Sequence, residues 1–244
     1  TVSTGSEAAY YAPLIDEKTK IKFGINIKSN TPKISILDPK LIVESDKKFV
    51  MLCALSSLIR SIESYYSKKS NYISKIISKI SFDLIQKNIK KYDKNHKDLK
   101  AINRIQLGAY FSVLALSNSG AGLAGSLSYH FSTKHNVPQS LGNALFGLNT
   151  IKINIANGFY KYSEIMDQID TKSNSIKNKE KSLLLIKILE KYFKKYKVNL
   201  KKFNFKANFY DYYNNLPYIS RKHFDNNPII LKKKELKKIF YSVV

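Results

Sequence analysis

Two rhythms of apolar residues divide the chain. Up to about residue 41 they come in short β-branched runs, IKFGINI (21–27) and PKISILDP (32–39), separated by KSNT. That pattern predicts a hairpin or two edge strands. From about residue 46 the spacing changes to three and four, as a helix requires. FVMLCALSSLIRSIESYYS (49–67) predicts an amphipathic or buried helix, and NYISKIISKISFDLIQKNIKKY (71–92) a second with lysines on its outer face. LKAINRIQLGAYFSVLALSNSGAGLAGSL (99–127) predicts one long helix whose Gly, Ala and Ser let a neighbour approach closely. VPQSLGNALFGLNTIKINIAN (137–157) starts another, with Pro138 tolerated in the first turn.

KSNSIKNKEKSLLLIKILEKYFKKYKV (172–198) predicts a polar linker running into a basic amphipathic helix. NNPIILKKKELKKIFYSVV (226–244) predicts a turn, a short extended run and a terminal helix. The architecture expected is mainly α: a short strand or hairpin region followed by an all-helical bundle.

Composition narrows this picture. At 244 residues and 43% hydrophobic content the chain can build a substantial core. Its single cysteine, Cys53, rules out an internal disulfide and suits a reducing compartment, so a cytoplasmic location is expected. No window approaches the roughly 18 uninterrupted apolar residues of a membrane span. The start, TVSTGSEAAYYAP, has neither the basic leader nor the apolar core of a signal peptide. It also lacks an initiator Met, which raises the expectation of a piece of a longer product.

The net charge of +24 comes from lysines scattered among Asn, Ile, Tyr and Ser. Such scatter is what a biased genome imposes, whereas a nucleic-acid binder gathers its cations on one face. A nucleic-acid partner is therefore not expected. Binding to nucleic acid or an anionic surface, if it occurred, would weaken steeply with salt.

Candidate chemistry is sparse. In SLSYHFSTKHNVPQSLGNAL (126–145), His130 and His135 lie five apart, not at the four-residue spacing that places two ligands on one helix face. His96 and His223 sit in lysine-rich polar context, so a structural or solvent-exposed role is expected for all four. TGSE (4–7) reads either as a polar turn with a helix N-cap or as a phosphate-binding turn. GAGLAG (120–125) lies inside a helical pattern rather than after a strand, which argues against a nucleotide loop. No Ser-His-Asp constellation or Walker-type loop is visible.

Taken in order, the segments resemble the iron-containing (group III) alcohol dehydrogenases. TVSTGSEAAYYAPLIDEKTKIKFGI resembles that family's TGSE segment and hairpin, and PKISILDPKLI its following "P-x-x-x-x-x-D-P-x-L" strand. ALSSLIRSIESYYSKKSN resembles the helix written "G-x-D-A-L-x-H-A-I-E-x-Y-x-S-x-x-x-N". ALSNSGAGLAGSLSYHFSTKHNVPQSLGNAL resembles the block ending "Y-H-V-P-H-G-x-x-N-A-L", and FDNNPIILKKKELKKIF the closing "N-N-P-R-x-L-T-x-x-D-I".

The resemblance implies a dehydroquinate synthase-like fold: a Rossmann-like domain of roughly 150 residues, then a helical domain, with the active site in the cleft. Residues 1–41 would be the tail end of the nucleotide-binding domain and 42–244 the α-helical C-terminal domain, most of the Rossmann-like part lying outside this chain. It also implies NAD or NADP as cofactor and a small alcohol or aldehyde as substrate; a homodimer stays open. The family's iron or zinc is held by an Asp and a His four apart on one helix and by two later histidines. Here those positions fall on Ser56, Arg60, Gly125 and Gln139, all substituted, so neither Fe nor Zn is expected to bind. His130 falls where the family has Pro, and His135 where it has Tyr.

Arg60 puts a permanent cation where the metal would sit and is the candidate electrophile. Thr1, Thr4 and Ser6 match residues that contact the dinucleotide, Lys22 matches the hairpin lysine, and a further such threonine falls on Ala9. The expected function is NAD(P)-linked alcohol/aldehyde interconversion on a degenerate metal site. The alternative is a catalytically inactive pseudoenzyme or partner-binding subunit of the same fold.

Overall fold

The computed structural model describes residues 4–19, 22–169, 176–203, 206–216 and 221–244. A single antiparallel hairpin pairs β1 (Tyr11–Ile15) with β2 (Lys22–Asn26), Leu14 lying opposite Phe23. The first strand contains Pro13, which a two-stranded sheet tolerates because a strand there has a free edge. The run at 32–39 forms no strand and corrects that expectation. Asp38 instead caps a 3-10 turn, Pro39–Leu41, by accepting from the Lys40 N–H at 2.9 Å. The extended partner of IKFGINI is YAPLI on its N-terminal side.

The helices follow: α1 (Lys47–Tyr66), α2 (Tyr72–Lys94), α3 (Leu99–Ser119), α4 (Leu123–Lys134), α5 (Gln139–Ala156), α6 (Ser163–Ile169), α7 (Asn178–Lys195), α8 (Phe209–Asn214) and α9 (Lys233–Val243). The first three begin on local N-caps. Asp46 accepts from Phe49 N, Asp98 accepts from Ala101 N, and Asn71 forms a reciprocal capping box with Ser74. Helix α1 runs through the middle, packed against α2, α3 and α5. Its Val50, Met51, Leu55, Ile59 and Ile62 are fully buried.

The predicted long helix 99–127 is two helices. Gly120, at φ 75°, takes a backbone conformation that ends α3, and α4 restarts at Leu123. Pro138 is the N-cap of α5 rather than a first-turn residue. In the predicted segment 172–198 the helix begins at Asn178, and the start of the linker lies outside the described residues. The short helices α6 and α8 are additions the periodicity does not announce.

A second centre of packing is aromatic. Phe131 on α4 stands 5.3 Å from Phe146 on α5, 5.4 Å from Tyr212 on α8 and 5.9 Å from Phe240 on α9, measured between ring centres. Tyr212 donates its hydroxyl to the Leu127 carbonyl at 2.7 Å, so its polar tip is satisfied inside the core. These four rings hold the C-terminal segment against α4 and α5, the helices that form one wall of the pocket described next.

Candidate active site

Between the hairpin and the helices lies an open pocket of about 350 Å³. Its walls come from α1 (Arg60, Glu63), from the break between α3 and α4 (Gly120–Gly122), from α4 and α5 (Gly125, Tyr129, Gln139, Asn143) and from the C-terminal turn (His223, Asn226). The hairpin closes one side with Tyr11, Pro13 and Phe23. The volume suits a small organic ligand.

Three of the four positions where the resemblance would seat a metal line this pocket: Arg60, Gly125 and Gln139. The fourth joins through a neighbour, since Asn143 Nδ2 donates to Ser56 Oγ at 3.3 Å. Gln139 Nε2 donates to the Gly125 carbonyl at 3.3 Å and to Ser128 Oγ. The positions are thus brought together, but the donor set is a hydroxyl, a guanidinium, a glycine and an amide. A cation does not fit beside a fixed guanidinium. No group of three or more His, Cys, Asp or Glu able to hold a metal occurs among the described residues.

Arg60 is held at one end. Its Nη1 donates to the Thr4 carbonyl at 2.8 Å and to Ser112 Oγ at 3.1 Å, tying the TGSE turn to α1 and α3. The turn itself is pressed onto α3. Gly5 has φ 73°, and a Cβ there would lie 2.1 Å from the Ala109 carbonyl oxygen. Both Nη1 hydrogens are accounted for by these bonds, while Nη2 and Nε find no acceptor among the described residues.

Glu63, one turn further along α1, was not singled out from the sequence. Its Oε1 accepts from the Ala124 N–H at 2.9 Å and so caps α4 from another helix; Gly122, the N-cap residue, offers no side chain of its own. A Cβ on Gly122 would meet that carboxylate at 2.6 Å. Burial pushes the Glu63 carboxyl up to about 7, against the Ala124 bond and the Arg60 charge, which pull it down. GAGLAG is therefore a helix-opening turn after all, though its N-terminus is already occupied by a carboxylate.

His223 is placed by the fold at the site. It lies on the pocket wall, half-buried, with Nδ1 2.7 Å from Ser126 Oγ, and burial followed by the Lys69 charge lowers its pKa. His130 and His135 lie away from the pocket, with ring centres 5.7 Å apart, and His130 packs edge-on to Tyr212. Burial chiefly, then the His135 and Lys134 charges, push His130 down to about 4. Cys53 is buried, and desolvation raises its thiol to about 11.

These two shifts have opposite consequences. Glu63 contributes stability that is full below its unfolded value of 4.5 and is lost as pH rises through about 7. His130 contributes stability that is full above 6.5 and is lost as pH falls through about 4. Denaturant midpoints measured from pH 4.5 to 7.5 should therefore show Glu63→Gln gaining on the parent chain by about 2 kcal/mol as pH rises, solvent screening allowed for. A parallel offset across that range would show that Glu63 is ionised throughout.

Of the residues matched to dinucleotide contacts, Thr4 and Ser6 share the TGSE turn, Ser6 exposed and Thr4 committed through its carbonyl to Arg60. Lys22 lies in β2 opposite Ile15, next to Phe23 at the pocket. Thr1 lies outside the described residues. Asn226, Glu63 and His223 carry no sequence signal of a ligand set; only their place in the resembling segments could have pointed to them.

Comparison with known proteins follows the same lines. The family described as "Fe-containing alcohol dehydrogenase family, C-terminal" matches residues 51–244. A 1,3-propanediol dehydrogenase of Citrobacter freundii is 22% identical over 186 residues, covering 76% of this chain and 48% of the relative. An NAD-dependent methanol dehydrogenase of Bacillus methanolicus is 22% identical over 196 residues, 80% and 51% respectively. The chain spans about half the length of these curated relatives. Among solved structures, a 1,3-propanediol oxidoreductase superposes with a TM-score of 0.89 at 19% identity, covering 100% of this chain and 64% of the other. Sulfoacetaldehyde reductase from Bifidobacterium kashiwanohense, solved in complex with NAD+, gives 0.81 at 18%, covering 98% and 62%. At these identities the structural likeness is one of fold.

Proposed function

The chain belongs to the iron-containing alcohol dehydrogenase family, whose C-terminal domain matches residues 51–244, and on that premise we propose that it serves NAD(P)-linked interconversion of a small alcohol and its carbonyl compound without a bound metal. One observation carries this reading. The position matched to the first metal-binding histidine holds a guanidinium that is fixed at Nη1 and whose Nη2 and Nε find no acceptor among the described residues, in a pocket of substrate size.

The nicotinamide, when bound, supplies or accepts the hydride. Arg60 donates hydrogen bonds to the substrate oxygen and stabilises the negative charge that develops there, preorganised by Thr4 and Ser112 so that little reorganisation is needed. Glu63 lies three residues along the same helix face and lines the same pocket. Its pKa of about 7 lets it hold a proton at neutral pH and exchange it with the alkoxide oxygen. Thr4, Ser6 and Lys22 belong to the side that would hold the dinucleotide. Their hydroxyls and ammonium favour its phosphates.

The test is turnover by the full-length protein with NADH or NADPH and a series of aldehydes, after exhaustive chelation. Activity is expected to survive chelation and to fall by about 100-fold or more in Arg60→Met, on the scale of losing one preorganised donor. Activity that vanishes with chelator and returns with iron or zinc would overturn the proposal.

A second reading is favoured by a different observation: all four metal positions are substituted together, which relaxed selection on activity would also produce. It makes the chain an inactive member that keeps the helical domain for partner binding. Absence of turnover with every aldehyde and both nucleotides would bring it forward.

A further inference from the structure

The edge of Arg60 that meets no acceptor among the described residues has a definite shape. In a guanidinium the Nε–H and one Nη2–H point the same way and form a parallel fork, spaced to meet two oxygens of one planar group. Nη1 is spent on Thr4 and Ser112, so this side-on fork is what remains. No ion pair joins Arg60 to Glu63, whose Oε1 is turned to Ala124. A lone alcohol or aldehyde oxygen can use only one arm of the fork.

The charge around it points the same way. Lys69 lines the pocket rim and His223 its wall. His223, its pKa lowered by burial, is neutral there; against the cations Arg60 and Lys69 the lining offers one carboxyl, Glu63, which is only partly ionised near neutrality. The pocket is therefore positive and would attract an anion. The same pocket has open space on its wall at Gly125, where a Cβ would meet only Asn143 Oδ1, at 3.4 Å.

We propose that the ligand of this pocket is a small 2-oxo or 2-hydroxy acid, seated with one carboxylate oxygen and the adjacent oxo or hydroxyl oxygen on the Nε–Nη2 fork of Arg60. The inference rests on the reading that the pocket receives the substrate, and it names that substrate's class. Both ligand oxygens lie syn and coplanar in such acids, so one residue anchors the anion and touches the reacting oxygen.

The test is calorimetric titration of the full-length protein, without nucleotide, at fixed ionic strength. Racemic lactate, propane-1,2-diol and 3-hydroxypropanoate are the probes. Lactate and the diol differ only in carboxylate against hydroxymethyl; 3-hydroxypropanoate moves the hydroxyl one carbon away. Lactate is expected to bind at least about tenfold more tightly than either. Arg60→Lys, which keeps the charge and loses the fork, should erase most of that preference, with circular dichroism confirming that the variant is folded. Equal binding of lactate and diol, or a preference unchanged in Arg60→Lys, would overturn the inference. Chloride displacing lactate at equal ionic concentration would do the same, by showing a site for any anion.

Turnover separates the two levels. Lactate preference without hydride transfer upholds this ligand class and removes the oxidoreductase reading. Turnover of neutral alcohols with no lactate preference does the reverse.

Discussion

The combined substitution Ser56→Asp, Arg60→His, Gly125→His and Gln139→His should build at these four positions a site that binds a single divalent ion. The expected dissociation constant is about 1 µM or tighter, a gain on the order of 8 kcal/mol. The backbone supports this. Three of the positions line one pocket, Ser56 reaches it through Asn143, and Gln139 hydrogen-bonds the Gly125 carbonyl. Position 56 and position 60 are one helical turn apart, so an Asp and a His there share a face. Gly125 has room for a side chain, with its nearest neighbour at 3.4 Å. Titration with Co²⁺, followed by its visible absorption, measures the outcome directly. Arg60→His alone should bind far more weakly, because one imidazole does not make a site. A folded fourfold variant that shows no cobalt spectrum would mean that the four positions do not converge on a common point.

Phe131→Ala should lower the unfolding free energy by about 3–5 kcal/mol, the range for deleting a fully buried aromatic ring. Phe131 is 0% exposed and touches Phe146, Tyr212 and Phe240 at centre distances of 5.3–5.9 Å. A cavity there is lined by rigid rings from three other helices, which cannot collapse into it. Domains of this size have total stabilities of roughly 5–15 kcal/mol, so the variant sits close to the unfolding threshold. Urea denaturation of parent and variant checks it. A loss under about 1 kcal/mol would show that the cluster repacks freely and does not hold the C-terminal segment.

Much of the helical plan is written locally. Asp46, Asn71 and Asp98 each sit one residue before a helix and each accepts from a backbone N–H inside it. Those starts are therefore readable from sequence. The start of α4 is not, because its cap is Glu63, 61 residues away along the chain. Without that partner, GAGLAG between two apolar runs reads as continuous helix. The run at 32–39 misled for the opposite reason: its β-branched residues satisfy strand propensity, but IKFGINI pairs with the segment containing Pro13.

The site divides in the same way. The substituted metal positions could be read from the order of segments, because substitutions in a matched motif show position by position. Glu63, Lys69 and His223 could not, since each is an ordinary surface-type residue whose part in the pocket depends on where α1, the α3–α4 break and the C-terminal turn come to rest. His223 shows this most plainly. Its sequence neighbours are Lys222 and Phe224, yet its hydrogen-bonding partner is Ser126, 97 residues earlier.

The capping of α4 by Glu63 also bears on how the molecule folds. A helix with its own cap can flicker into existence before anything docks on it, but the first turn of α4 carries no such device. Its Ala124 amide acquires a partner only after the chain has closed a long loop and laid α1 alongside, a step whose entropic cost grows with loop length. The capped start of α4 is thus a product of tertiary docking rather than of local sequence. Without α1 in place there is neither a carboxylate in the site nor the wall that carries Arg60, so the pocket exists only in the docked chain.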